Sequence, residues 1–192
     1  MNRRALLGCL ALLPLAACAG WRRPAAPVLR LGLSAAPVET VGGPAGPVVA
    51  IEPFRTAPAY RTDRIAVSEG SVGLRFLAQT RWAAEPGPLV ADALRRSLAA
   101  SGVVGAVWPA PAPVEPDLTV TGTVDALLWD RAGGAAVLEA TWTVLGRDGS
   151  VKAFRHGRWA EPVADSGIAG FSRAADRALG RLATELLRSL RE

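Results

Sequence analysis

Thiol and imidazole chemistry is confined to three positions in this 192-residue chain: Cys9, Cys18 and His156. Cys18 follows Leu15-Ala16-Ala17, the residue order of a lipobox. Small side chains there fit a signal peptidase pocket, and the cysteine sulfur takes a diacylglyceryl group before the bond between Ala17 and Cys18 is cut. Cys18 is thus the expected lipidation site, and Ala17 and Cys18 flank the expected cleavage. Cys9 would leave with the signal and the Cys18 sulfur would be blocked as a thioether, which excludes a disulfide, a thiol nucleophile or a cysteine metal site from the mature chain. His156 sits beside Phe154, Arg155 and Arg158 in a strand-like stretch and reads as a surface residue. The carboxylates Glu69, Glu85, Asp92, Asp125, Glu139 and Asp165 fall on different predicted elements, so no acid–base pair is legible. Zinc spacings, a Gly-x-Ser-x-Gly elbow, a Walker loop and a dinucleotide fingerprint are all absent. The expectation is no catalytic residue, no metal and no cofactor, and hence a binding or assembly part.

The segments that would place these residues begin with an export signal over residues 1–17. Arg3 and Arg4 open it and Ala5 to Leu15 form its apolar run, shorter than the roughly 20 residues needed to span a bilayer. Residues 18–27 read as a lipidated N-terminus and tether, in which Trp21, Arg22 and Arg23 suit either lipid headgroups or a solvated linker. Several acyl chains, palmitate among them, hold a protein on a bilayer where one chain does so only marginally. Ala19 is not the aspartate associated with inner-membrane retention, so the expected location is the periplasmic face of the outer membrane.

Residues 28–192 read as one domain. Half of the sequence is hydrophobic, enough for a sizeable core. The formal charge of +5 falls to +3, 20 basic against 17 acidic residues, once Arg3 and Arg4 leave. No basic cluster is interleaved with aromatics, so a nucleic-acid partner is not expected.

Strands are predicted over Val28 to Leu33 and Val48 to Ile51, the latter stopping at Pro53. A hairpin is predicted from Arg64–Val67 and Val72–Ala78, with Val72, Leu74, Phe76 and Ala78 on one face. Pro86-Gly87-Pro88 introduces a helix from about Leu89 to Ser101, burying Leu89, Val90, Ala93, Leu94 and Leu98 and exposing Asp92, Arg95 and Arg96. Val103 to Trp108 suggests a short strand before the proline-rich stretch Pro109 to Pro113.

Three strands then make a meander. Leu118 to Trp129 places Leu118, Val120, Val124, Ala126 and Leu128 on one face, and Val137 to Leu145 and Val151 to Trp159 follow. The chain ends in an amphipathic helix capped by Asp165 or Ser166, with Ile168, Phe171, Ala175, Leu179, Leu182, Leu186 and Leu190 inward and an Arg181–Glu185 pair outward. The predicted fold is α+β: an antiparallel sheet with a central helix and a long C-terminal helix packed on it.

Two stretches carry a family resemblance: Tyr60-Arg61-Thr62-Asp63-Arg64-Ile65, and Phe76-Leu77-Ala78-Gln79-Thr80-Arg81-Trp82-Ala83-Ala84-Glu85-Pro86 leading to the helix that ends at Ser101-Gly102. With the lipobox and the final helix, they resemble the ABC-type transport auxiliary lipoproteins over nearly all of the mature chain. The loop Ser68 to Gly73 is less aromatic than that pattern.

The resemblance implies an α+β domain without enzymatic activity, working with an ABC permease, its ATPase and a mammalian-cell-entry (MCE) domain protein that carries lipid between the membranes, and leaves self-association open. Within the motif, Tyr60, Arg61, Asp63, Arg64, Arg81 and Trp82 are expected to be structural, with Trp82 closing the sheet edge against the following helix and Arg81 solvated. An outer-membrane assembly lipoprotein of another envelope complex, or a periplasmic hydrolase built around His156, are the alternatives.

Overall fold

The structure is a computed structural model that describes residues 27–34, 46–70 and 73–191. The signal, Cys18 and nearly all of the tether lie outside the described residues, as does Val72.

One mixed sheet is built around a 13-residue spine, β7 (Leu118–Asp130). One edge of the spine pairs along its length with β8 (Ala135–Gly146), which pairs antiparallel with β9 (Val151–Pro162). This is the predicted meander, and its two tight turns are closed by Gly134 (φ +64°) and Gly149 (φ +76°) in the left-handed region that glycine tolerates. The other edge takes three short strands in succession, all parallel to β7: β2 (Val48–Ile51), β3 (Arg55–Thr56) and β4 (Arg64–Ser68). Beyond β2 lies β6 (Ala106–Pro109), and beyond β4 lie β5 (Leu74–Trp82) and β1 (Leu29–Leu31). The α+β class holds, with parallel pairing added by strands far apart in sequence.

Helix α1 (Pro86–Ala100) and helix α2 (Ile168–Ser189) bury their apolar stripes on one face of this sheet. Leu89, Val90, Ala93, Leu94 and Leu98 of α1, and Phe171, Ala175, Leu179, Leu182 and Leu186 of α2, are all buried, as the 3.6-residue period requires. Helix α1 begins at Pro86, three residues before the expected start, because proline is tolerated in a first turn.

Two of the three register shifts among the described residues of the sheet overturn expected strand faces. In β7 the register shifts between Val124 and Ala126, leaving Asp125 as an extra residue against β8. A bulge exchanges the faces of the residues beyond it. Val120 and Val124 face the core as expected, whereas past Asp125 the residues Leu127 and Trp129 join it in place of Ala126 and Leu128. A second shift, between the Arg64–Arg81 and Ala66–Phe76 pairs, acts likewise on β5. Leu74 is exposed, while Leu77 and Trp82 reach the core in place of the expected Leu74, Phe76 and Ala78 face.

Two further expectations are corrected. Helix α2 starts after Gly167 with no side-chain cap, and Asp165, expected as a cap, instead pairs with Arg173. Arg181 pairs with the buried Glu161 of β9 in place of Glu185, and Glu185 accepts a hydrogen bond from Trp159 Nε1 at 3.1 Å. A buried ion on a sheet edge competes better for Arg181 than a partly solvated helical neighbour does.

Asp176 on α2 accepts a hydrogen bond from the Ser34 backbone N–H at 2.8 Å. Burial nonetheless raises its pKa above the usual carboxylate value, outweighing the lowering by that bond. Folding therefore favours the protonated acid. Stability is lost as the pH rises from the unfolded value of about 4 through the raised folded value, and is level above it. Asp176→Asn keeps the acceptor and removes this loss. Melting curves between pH 4 and pH 7 should show the wild type falling relative to the variant, and parallel curves would refute the assignment.

Candidate functional site

Asp63 lies at the centre of the motif residues. Its carboxylate receives Arg81 Nη1 at 2.9 and 3.2 Å and has Arg30 Nη1 at 3.7 Å, while its carbonyl accepts the Trp82 N–H at 2.7 Å. Arg30 and Arg81 are opposed in the β1–β5 pairing, so one carboxylate neutralises two like charges that face each other across strands. Arg81 is thus ion-paired and only partly exposed, a correction to its expected solvation.

Trp82 is fully buried, its ring 5.6 Å from that of Phe171 on α2, and its Nε1 has no hydrogen-bond partner among the described residues. It closes the sheet against the final helix, where the following helix α1 was expected. Tyr60 ends a short 3-10 turn over Pro58–Tyr60 and is half-buried. Burial, and then the Glu139 charge, push its phenol up, so it stays protonated at neutral pH. Arg64 starts β4 with its side chain exposed, and Arg61 lines an open cleft beside α1.

On the sheet face opposite the helices, three groups that the sequence left scattered converge. His156 has Nδ1 3.2 Å from Thr141 Oγ1 and 3.9 Å from Asp125, and Nε2 3.4 Å from Glu139. The bulge at Asp125 and the Thr141–His156 cross-strand pair bring them together. Thr141 donates its proton to Asp125 at 2.7 Å, so its hydroxyl is not activated by the imidazole, and half of the His156 side chain is in solvent. The arrangement suits a solvated polar network better than a nucleophile–base pair. Among the described residues no group of three His, Cys, Asp or Glu side chains is arranged to hold a metal ion, and no helix is long and apolar enough to cross a membrane.

Strand β9 forms an edge of the sheet, with Val151 and Phe154 exposed on a strand that also carries Lys152, Arg155 and Arg158.

Comparison with known proteins adds the family. Protein XCC0632 from Xanthomonas campestris, assigned to family DUF330, is 23% identical in its crystal structure, with a TM-score of 0.66 over 84% of this chain and 90% of that one. An uncharacterised protein of known structure is 13% identical, with a TM-score of 0.69 over 85% of this chain and 98% of that one. At such identities both show a shared fold alone. No curated protein matches this chain. The family model for the ABC-type transport auxiliary lipoprotein component matches residues 30–186, from the Arg30 ion pair through α1 and most of α2. The chain therefore belongs to the ABC-type transport auxiliary lipoprotein family.

Proposed function

We propose that this protein is a lipid-anchored, non-enzymatic component at the periplasmic face of the outer membrane, docking an MCE-domain protein of an ABC-driven system that moves lipid between the membranes. The family match over residues 30–186 carries this reading. The Leu15-Ala16-Ala17-Cys18 order supports the anchor, and Ala19 supports the outer membrane. The motif residues Tyr60, Asp63, Arg64, Arg81 and Trp82 serve as the frame that holds the domain in shape. Docking needs a surface with unmet pairing capacity, and the 12-residue edge of β9, with its exposed Phe154 and several cations, supplies backbone donors and acceptors for an extended partner segment.

Co-purification of the intact lipoprotein from membranes tests the reading. The expected result is an acylated N-terminus at Cys18 by mass spectrometry and recovery of an MCE-domain protein. Cys18→Ala should release the protein from the membrane fraction and abolish function, whereas His156→Ala should leave function near wild type. An unmodified N-terminus elsewhere would overturn the anchor, and absence of any MCE-domain protein would overturn the partner.

A further inference from the structure

We propose that the cleft between β3, the Pro58–Tyr60 turn and the first turn of α1 binds an amine-bearing phosphate ester, of the phosphoethanolamine type, either lipid-borne or free. The cleft has a volume of about 550 Å³, within the range of small-molecule sites, and is lined by Phe54, Arg55, Pro58, Arg61, Glu85 and Pro88 among others. Among the described residues its charges have no ion-pair partners. Arg95, Arg96, Arg147, Arg173, Arg177 and Arg181 all have carboxylate partners, but Arg55 and Arg61 have none among the described residues. Glu85 sits at the N-cap of α1 without a side-chain cap bond, and it has no ion pair among the described residues.

Two guanidiniums and one carboxylate on the walls of one cleft complement a ligand with a doubly accepting anion and a separate cation. Arginine's planar fork matches phosphate oxygens in pairs, and Glu85 disfavours a plain anion while receiving an ammonium group. Phe54, Pro58 and Pro88 supply apolar surface for the linking carbons.

The walls are also held in place. The Gly87 N–H donates to the buried Thr56 Oγ1 at 2.9 Å, locking the start of α1 onto β3. Pro86 and Pro88 have no N–H, and the Gly87 N–H is already used, so recognition falls to the side chains and not to helix-terminal amides. The cleft draws on both stretches that carry the family resemblance, Arg61 from one and Glu85 from the other.

Calorimetric titration of the full chain in maltoside micelles, with protein-free micelles as the blank, tests the proposal using O-phosphoethanolamine, inorganic phosphate and dihexanoyl phosphatidylethanolamine. Saturable binding of the amine-bearing esters, tighter than that of inorganic phosphate, is expected. Arg55→Ala with Arg61→Ala should weaken it by about tenfold or more with an unchanged melting curve. Glu85→Gln should erase the preference for the amine-bearing ester over inorganic phosphate. Binding of the lipid alone assigns the site to headgroups, and equal binding of the soluble ester assigns it to free ligand. Absence of saturable binding, equal affinity in the double arginine variant, or a preference for inorganic phosphate would each overturn the proposal.

Discussion

Trp82→Ala should destabilise the domain by about 3 to 5 kcal/mol, the range for deleting a large buried aromatic ring. Trp82 has no exposed surface and lies under Phe171, which stacks in turn on Trp129 at 5.3 Å. Its removal leaves a void where the end of β5 meets α2, and the backbone on both sides is held: the Trp82 N–H by the Asp63 carbonyl, and the neighbouring Ala83 N–H by the Leu31 carbonyl. A site fixed in this way cannot collapse to fill the space. For a domain of this size the loss corresponds to a fall of roughly 10 °C or more in melting temperature.

Trp82→Phe separates packing from any role of the indole nitrogen. Nε1 is buried without a partner among the described residues, so the phenyl ring removes an unsatisfied donor while keeping most of the volume. The expected loss is well below that of Trp82→Ala, because the phenyl ring still fills most of the site and leaves only a small void. Thermal denaturation followed by circular dichroism measures both. A Trp82→Phe variant as unstable as Trp82→Ala would show that the indole nitrogen has a role that packing does not supply.

The helices and the meander were legible in the sequence because each is specified by neighbours. Leu89, Leu94 and Leu98, or Phe171, Leu179 and Leu186, repeat with the helical period, and the glycine turns between β7, β8 and β9 set local pairing. Three kinds of feature were not legible. The parallel joins of β2, β3 and β4 to β7 depend on contacts between distant strands, which no local pattern encodes. The two-residue β3 lies just past Pro53 and is too short to register as a strand, so Arg55 was missed as a cleft residue. The bulge at Asp125 reverses the alternation midway along β7. A strict period of two then assigns Leu128 to the core and hides the meeting of Asp125 and Glu139 with His156. Counting outward from the Gly146–Ser150 turn would have placed Thr141 near His156, the one local signal for that cluster.

Gly87→Ala should also be costly, and the loss should centre on the junction between α1 and β3. A Cβ atom at residue 87 would lie 2.2 Å from the Phe54 carbonyl oxygen and 2.7 Å from the Arg55 carbonyl carbon, far inside van der Waals contact. Both obstacles are backbone atoms, so no rotamer change relieves the clash, and the start of α1 must move away from the sheet. Two interactions then weaken together: the Gly87–Thr56 hydrogen bond and the packing of Leu89 and Val90 under the helix. Overpacking alone costs about 1 to 3 kcal/mol. With a buried hydroxyl also losing its donor, about 3 kcal/mol is expected in total. Thr56→Val serves as the comparison, since it deletes the hydroxyl acceptor without a backbone clash and should cost less. If denaturant titration gave Gly87→Ala wild-type stability, the close approach of helix and strand at Phe54 and Arg55 would be wrong, and with it the rigid wall on which the cleft depends.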